Sequence, residues 1–187
     1  ADGVNTGATI TYAVTVDDTN DQTPTYSATD LTPNVNEGAT AVETDIAITD
    51  TDTGDVNACT LAGADKDVFT CTVSATAYTL AFTNAEDYDN PDDADDDNDY
   101  IVTVTIADGV NTGATISYTV SVTDTNDQTP TYAATDTTPS VAEGATAVET
   151  DIAITDTDTG DVNACTLAGA DSSDFTCTVS ATAYSLA

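Results

Sequence analysis

The chain has 187 residues, enough for one or two ordinary domains, and 40% of them are hydrophobic, so the sequence can form a buried core. Its 34 acidic residues face a single basic residue, Lys66, which gives a net charge of −33. Binding to nucleic acids depends on phosphate contacts from Lys or Arg, so this charge excludes nucleic acids and direct contact with anionic membranes.

The acidic residues are unevenly divided between the two types, with 29 Asp and only five Glu. Short Asp side chains suit turns, where they bond the local backbone and can surround a cation with oxygens. A salt-adapted surface or a disordered acidic tail would also account for the charge. The regular hydrophobic alternation argues against disorder, whereas salt adaptation can coexist with cation binding.

The sequence repeats itself with an offset of 106 residues, because residues 1–81 align without gaps with residues 107–187 and 69 of the 81 positions are identical. A unit of this length matches a small domain rather than a solenoid repeat. The chain is therefore divided into the C-terminal strands of a preceding repeat (1–25), a complete repeat (26–131) and the N-terminal part of the following repeat (132–187).

Hydrophobic residues recur at every second position of the complete repeat, as in Tyr100, Val102, Val104 and Ile106. Such alternation is typical of half-buried strands, and Thr, Val, Ile and Tyr favour them. A turn over 108–113 joins the last two strands as a hairpin. Seven short strands without a long helix predict an all-β fold, a Greek-key β-sandwich of the Ig-like kind. The strands are predicted near 33–43 (broken at Gly38), 44–50, 57–62, 68–73, 77–83, 99–107 and 113–123.

The cysteines come two to a repeat, Cys59 with Cys71 and Cys165 with Cys177. Equivalent points of a linear array lie too far apart for a bond between repeats, so pairing within each repeat is favoured. Such a bond would bridge neighbouring strands, stabilise by roughly 3 kcal/mol and indicate an oxidising, extracellular setting. The alternative is free, buried thiols.

Two linkers of identical sequence, 18–24 and 124–130, follow strand-like runs and end in proline. Each contains carboxylates and an amide in the order Asp-Thr-Asn-Asp-Gln-Thr-Pro. Ca²⁺ takes six to eight oxygen ligands from Asp, Glu, Asn and backbone carbonyls, so the linkers are where a hard cation is expected.

With these motifs in order, the repeat resembles the cadherin repeat, particularly the cadherin-like repeats of large bacterial surface proteins. The linker 124–130 is similar to the Asp-x-Asn-Asp-x-x-Pro motif of that family. The other matching motifs are Glu37 in the first strand, the Asp-x-Asp pairs Asp50/Asp52 and Asp156/Asp158, Asp87-Tyr88-Asp89 for Asp-Tyr-Glu, and the late aspartates Asp2 and Asp108. Asp89 replaces the usual Glu, which shortens a carboxylate that would otherwise bind in bidentate fashion.

The resemblance implies Ca²⁺ at the junctions between repeats. At the later junction the implied ligands are Glu37, Asp87, Asp89, Asp124, Asp127, Asn126, the carbonyls of Thr125 and Gln128, and Asp156 and Asp158 of the following repeat. At the earlier junction they are Asn20, Asp21, Gln22, Asp50, Asp52 and Asp108. The alternative for any single one of these aspartates is a solvated turn residue.

A further acidic segment, 93–99, places Asp93, Asp95 and Asp97 at alternate positions. It resembles the start of an EF-hand loop but lacks the Gly and the closing Glu of that motif. An extra metal site and a plain acidic loop are therefore both open.

The sequence thus predicts a calcium-stiffened structural repeat of an extracellular or cell-surface adhesin or filament, with the sandwiches arranged end to end as a rod. The expected partners are calcium and the neighbouring repeats, with identical chains in a fibre or surface glycans as further candidates. The alternative is a carbohydrate-binding or homophilic adhesive module. An enzyme is disfavoured, because there is no His and no Arg or Lys at any candidate site.

Overall fold

The structure is a computed structural model that describes residues 3–4, 7–52, 57–134, 136–160 and 162–187. The described residues form β-strands and two short 3₁₀ turns, at Lys66–Val68 and Ser172–Asp174. Neither turn is nearly long or apolar enough to cross a membrane, and the described residues include no other helix. The chain is therefore all-β, as predicted.

The described residues form twelve strands, eight of them before the second linker. They are β1 Thr25–Tyr26, β2 Asn34–Asn36, β3 Ala41–Thr49, β4 Ala58–Ala62, β5 Phe69–Val73, β6 Ala77–Phe82, β7 Asp99–Ala107, β8 Ile116–Thr123, β9 Thr131–Tyr132, β10 Glu149–Thr155, β11 Cys177–Val179 and β12 Ala183–Leu186.

The first eight strands form two four-stranded sheets that enclose one core. One sheet has the order β1-β3-β6-β5, and the other has the order β2-β8-β7-β4. Strands β7 and β8 lie at the centre of the second sheet and form the predicted hairpin, with Asp99 opposite Ser121 and Val104 opposite Ile116. The remaining strands form a third sheet with the order β11-β12-β10-β9.

The core is built from the alternating residues that the sequence singles out. Tyr100, Val102, Val104 and Ile106 of β7 are fully buried, as are Tyr118 and Val120 of β8. The hydroxyls of Tyr78 on β6 and Tyr118 on β8 lie 2.6 Å apart, which gives each buried phenol a hydrogen-bond partner between the two sheets. The core therefore joins the sheets through polar as well as apolar contacts.

The predicted strands 33–43 and 44–50 are wrong in their boundaries. Asn34–Asn36 pairs in parallel with β8, whereas Ala41–Thr49 pairs with β6 in the other sheet. The chain changes sheets at Gly38, whose φ of +77° favours glycine. The division predicted between 43 and 44 is a bulge inside β3, where Asp45 has a φ of 54°. A bulge interrupts the alternation of side chains, so the sequence pattern looks like the start of a new strand.

Both predicted disulfides are present, Cys59–Cys71 and Cys165–Cys177, and no described cysteine is free. The prediction that each bond joins neighbouring strands needs correction. Cys59 on β4 and Cys71 on β5 belong to different sheets, because β4 pairs with β7 and β5 pairs with β6. The bond therefore ties the two edges of the sandwich together.

The connector between β6 and β7, residues 83–98, carries many of the candidate ligands. Near its start Gly38 N donates to the carbonyl of Glu86 at 3.0 Å, and near its end Val122 N donates to the carbonyl of Asn98 at 2.9 Å. The connector is thus held against both the turn after β2 and strand β8, beside the second linker.

Candidate metal centres

The second linker is contacted by the repeat that follows it. Gln128 N donates to Asp158 Oδ2 at 2.9 Å, and the backbone and hydroxyl of Thr159 both donate to Asp124 Oδ2. Asp158 is buried although it belongs to a turn after β10. Carboxylates from both sides of the linker are therefore fixed at the same place.

Three carboxylates converge at this place, one from the connector, one from the linker and one from the following repeat. Asp89, Asp124 and Asp158 each offer an oxygen, and these oxygens lie within 4.8 Å of one another. Two ligands on opposite sides of one Ca²⁺ are about 4.6–5.2 Å apart, because each lies at 2.3–2.6 Å from the ion. The spacing therefore fits a shared ion.

Some carboxylate oxygens at this junction are enclosed without a hydrogen-bond partner, which provides a test of the fit. They are Asp89 Oδ2, Asp124 Oδ1 and Asp156 Oδ1. A buried acceptor without a partner costs about 1–3 kcal/mol, and more when it is charged. A hard cation would satisfy these oxygens, so the residues fit Ca²⁺.

The electrostatics of the junction differ between its carboxylates. Hydrogen bonds from Thr159 hold the pKa of Asp124 below its ordinary value. Burial raises the pKa of Asp89, and the negative charges of Asp124, Glu37 and Asp87 raise it further, although a hydrogen bond to Thr157 opposes them. Several negative charges therefore lie close to Asp89, and a divalent cation would offset their repulsion.

Glu37 and Asp87 brace the junction. Glu37 accepts hydrogen bonds from Tyr88 N at 3.0 Å and from Thr125 N, so it joins the connector to the linker. Asp87 Oδ1 accepts from Asp89 N at 3.1 Å and thereby orders the loop that presents Asp89. Asp127 is exposed, and its Oδ1 accepts from the side-chain amide of Gln128 at 2.8 Å.

The first linker repeats the same contact with its own following repeat. Asp52 Oδ2 accepts from Asp21 N at 2.8 Å and from Gln22 N at 2.7 Å, as Asp158 does from Gln128 N. Asp50 Oδ1 accepts from Asp52 N, while Asp50 Oδ2 is enclosed without a partner. At both linkers, the second aspartate of the Asp-x-Asp motif therefore accepts hydrogen bonds from the backbone of the linker before it.

One residue at the first linker was missed by the sequence analysis. The side-chain nitrogen of Asn111, in the β7–β8 turn, lies 2.7 Å from both Asn20 Oδ1 and the carbonyl of Gln22, and 3.2 Å from Asp108 Oδ2. Three oxygens thus converge on one positively polarised group. Asn111 could have been suspected because it follows the Asp-Gly turn of the hairpin, where Asn bonds the local backbone.

Asp108 is held in place by the same turn. Although burial favours its neutral form, hydrogen bonds from the backbone of Asn111 and Val110 and from the side chains of Asn111 and Asn20 lower the pKa of Asp108 below its ordinary value. Asp108 is therefore a preorganised carboxylate at the end of the sandwich that faces the first linker. Its counterpart Asp2 lies outside the described residues.

The predicted ligands thus fall into two groups. The structure brings Asp89, Asp124 and Asp158 together, and it places Asn20, Gln22 and Asp108 around Asn111. It does not add the other implied acidic ligands of this junction to the three-carboxylate group. Among the described residues, those outside it are Glu37, Asp87, Asp127 and Asp156.

A second carboxylate group lies in the connector itself. Oxygens of Asp93, Asp95 and Asp97 are within 4.8 Å of one another. The negative charge of Asp97, followed by burial and the charges of Asp93 and Asp65, raises the pKa of Asp95. The alternate spacing of aspartates in the sequence therefore brings their carboxylates together in space.

Comparison with known proteins identifies the fold. No family model and no curated protein matches the chain. Mouse clustered PcdhgC3 EC1-3 is similar in structure, with a TM-score of 0.58 and 19% identity over 91% of this chain and 58% of that one.

Two further solved structures are similar over much of this chain. The protocadherin gammaB7 EC3-6 cis-dimer structure has a TM-score of 0.52 and 20% identity, covering 90% of this chain and 42% of that one. Human CDH23 EC21-23 has a TM-score of 0.51 and 22% identity, covering 76% and 46%. The chain thus spans less than two thirds of each of the three solved chains, and its fold is cadherin-like.

Proposed function

We propose that the chain is a calcium-stiffened structural segment of an extracellular or cell-surface adhesin or filament. Cadherin-like Greek-key sandwiches would stand end to end, and Ca²⁺ would bind at the linkers between them. The observation that carries this proposal is the meeting of Asp89, Asp124 and Asp158 within 4.8 Å, because these residues come from both sides of one linker.

The residues would act through their charge. Without a cation, carboxylates of two repeats face each other at the linker and repel, so the joint opens. Bound Ca²⁺ would supply the positive charge that holds these oxygens in one coordination sphere. Asp158 and Asp52 would then fix the following repeat to the linker, and Glu37 would fix the connector to it.

The disulfides support an extracellular setting for the proposed sites, and such a setting would supply calcium. Both disulfides need an oxidising compartment to persist. Extracellular calcium modules have dissociation constants of about 10⁻⁴–10⁻³ M, and calcium outside cells is millimolar. The proposal of a bacterial-type surface protein rests on the motif resemblance.

The test compares the whole chain with and without calcium. Small-angle scattering should show a long, stiff particle in millimolar Ca²⁺ and a shorter, more flexible one after chelation. Thermal unfolding should shift to lower temperature on chelation. A particle of unchanged length and stability would contradict the proposal.

Ionic strength needs a control because the net charge is −33. Added NaCl screens repulsion between exposed charges over about 10 Å at 0.1 M. If NaCl at matched ionic strength reproduces the effect of Ca²⁺, general screening rather than specific binding explains the stiffness.

A homophilic adhesive module is the second candidate. The observation that favours it is the similarity to a protocadherin solved as a cis dimer. Self-association of the calcium-loaded chain, measured by analytical ultracentrifugation, would support adhesion, whereas a monomer at all concentrations would favour a spacer.

A further inference from the structure

The end of the β6–β7 connector contains a buried carboxylate whose role is not explained by the junctions. Asp93 is only 6% exposed, and its Oδ2 accepts a hydrogen bond from Asp97 N at 2.9 Å. Its Oδ1 is enclosed and has no hydrogen-bond partner. A buried anionic oxygen without a partner is unfavourable unless a cation compensates it.

The groups that surround Asp93 are mainly other oxygen acceptors, which cannot donate a hydrogen bond to its carboxylate. Oxygens of Asp95 and Asp97 lie within 4.8 Å of a carboxylate oxygen of Asp93 and of each other. Another enclosed acceptor, Asn98 Oδ1, follows in the sequence and also has no partner. Two backbone amides donate to the group, Asp97 N to Asp93 Oδ2 and Asp99 N to Asp97 Oδ1, but they leave the enclosed oxygens of Asp93 and Asn98 without a donor.

Among the described residues, no basic side chain forms an ion pair with this group. Lys66 is the only basic residue in the sequence, and its Nζ lies 2.5 Å from Asp67 Oδ1. The compensating charge must therefore come from solution.

The loop is held in shape by other parts of the complete repeat. The buried Asp65 accepts from Ala94 N at 2.8 Å and from Ile101 N at 2.6 Å. Asn98 Nδ2 donates to the carbonyl of Tyr88 at 3.0 Å. The carboxylates are thus presented by a braced loop, which reduces the ordering that binding would require.

We propose that Asp93, Asp95 and Asp97 bind a divalent cation, with Ca²⁺ the best fit, inside a single repeat. Carboxylate oxygens within 4.8 Å of one another can share an ion at 2.3–2.6 Å from each. Water and backbone carbonyls would complete a sphere of six to eight oxygens. The site uses no residue of a linker or of a neighbouring repeat, so it goes beyond the proposed function and stands independently of it.

The experiment follows the loop amides of the whole ¹⁵N-labelled chain during a calcium titration from the chelated state. The resonances of Ala94, Asp97 and Ile101 should move and saturate. Asp95→Asn removes one charged ligand at an exposed position, so folding should be unaffected. It should weaken the loop affinity about tenfold, which equals about 1.4 kcal/mol.

Two matched variants identify the source of the shifts. Asp136→Asn removes the same charge at an exposed turn residue of the following repeat and should leave the loop affinity unchanged. Asp124→Asn alters the junction and should leave saturation at the loop intact. The variants therefore test the proposed loop site and the proposed junction site independently of each other.

Three results would overturn the proposal. The loop amides could stay unmoved up to about 10 mM Ca²⁺, well above the range of extracellular modules. Asp95→Asn and Asp136→Asn could weaken the response equally. NaCl at matched ionic strength could reproduce the shifts, which would indicate diffuse counterions.

Discussion

Residues 26–81 and 132–187 are nearly the same sequence in two different surroundings, with 48 of 56 positions identical. The first copy is covered by the β7–β8 hairpin, whereas in the described residues no such hairpin covers the second copy. Local features are the same in both. Asp45 and Asp151 share a φ of 54°, each copy has its 3₁₀ turn, and each has its disulfide.

The two copies differ in the strands that pair with β7 and β8 in the first copy. Residues 140–142 and 164–168 form no strand, although the equivalent residues form β2 and β4. Phe175 is 40% exposed, whereas its counterpart Phe69 is 6% exposed. The sheet that contains β3, β5 and β6 therefore depends mainly on its own residues, and the opposite sheet depends on β7 and β8.

Residues 10–16 also show that strand formation depends on the partner. Residues 10–16 carry the same inward-facing Ile, Tyr, Val and Val as β8, yet they form no strand and these side chains are exposed. The same alternation gives a central strand in one place and no strand in the other. Strand formation here is decided by the partner rather than by local propensity.

Tyr118→Ala tests this comparison with the largest expected effect. Tyr118 is fully buried and hydrogen-bonded to Tyr78, so its truncation should destabilise the complete repeat by about 3–5 kcal/mol. The measurement is native-state amide exchange of β7 in the whole chain, because a chain of several units need not unfold in one step.

The matched control is Tyr12→Ala at the equivalent repeat position. Tyr12 is 79% exposed, so its truncation should change stability by less than about 0.5 kcal/mol. Equal losses from the two variants would show that residues 10–16 are packed as β8 is, and the comparison would fail.

The disulfides should differ in which part of the chain they stabilise. Each bond closes a separation of 12 residues, for which the chain-entropy relation gives about 3 kcal/mol. Replacing Cys59 and Cys71 by Ser should lower the free energy of unfolding of the complete repeat by about that amount, measured by amide exchange of β6.

Replacing Cys165 and Cys177 by Ser serves as the control, since these residues lie outside the complete repeat. It should leave exchange in β6 unchanged while protection in β12 is lost. A drop in β6 protection from this second pair would mean that the two copies unfold together.

The fold was predictable where alternation is uninterrupted. The prediction of 99–107 agrees with β7, and the hairpin over 108–113 is confirmed. The divisions near Gly38 and Asp45 were not predictable, because a change of sheet and a bulge both depend on which strand lies alongside. The inter-sheet position of Cys59–Cys71 likewise requires the strand order, which alternation does not encode.

The candidate site was predictable in composition but not in its detailed contacts. The motifs indicated Asp89, Asp124 and Asp158, which the structure brings together. They did not indicate Asn111, whose role depends on the hairpin reaching back to the first linker. They also gave no sign of Thr159, whose hydrogen bonds to Asp124 cross the second linker. Such contacts depend on how neighbouring repeats meet, which the ligand spacing alone cannot specify.

Glu86 should make the stability of the complete repeat depend on pH. Burial, followed by the hydrogen bond and charge of Asp92, raises the pKa of Glu86 to about 7, whereas an unfolded Glu titrates near 4.3. The folded state therefore binds the proton more tightly, so stability falls as pH rises from about 4 to 7. Over this pH range, the free energy of unfolding of the complete repeat should fall by about 2–3 kcal/mol. It is measured on the chain from which calcium has been removed by a chelator.

Glu86→Gln should flatten this dependence in the complete repeat, because the amide stays neutral. Glu143→Gln removes an equivalent charge from an exposed position and should retain the slope. If both variants retain the full slope, general repulsion among the acidic residues and not the buried Glu86 determines the pH response.

Calcium removal should give the smallest effect per ion, and it tests the contact between the two copies directly. A site with a dissociation constant near 10⁻⁴ M stabilises the folded state by about 1.4 kcal/mol at 1 mM Ca²⁺. Asp124→Asn should reduce this gain in exchange measurements of β8 and β10, because Asp124 belongs to the three-carboxylate group and also receives the hydrogen bonds of Thr159. Asp136→Asn should leave the gain intact. Equal gains in the two variants would mean that Asp124 only anchors the following repeat through hydrogen bonds, and that the copies are joined without a shared ion.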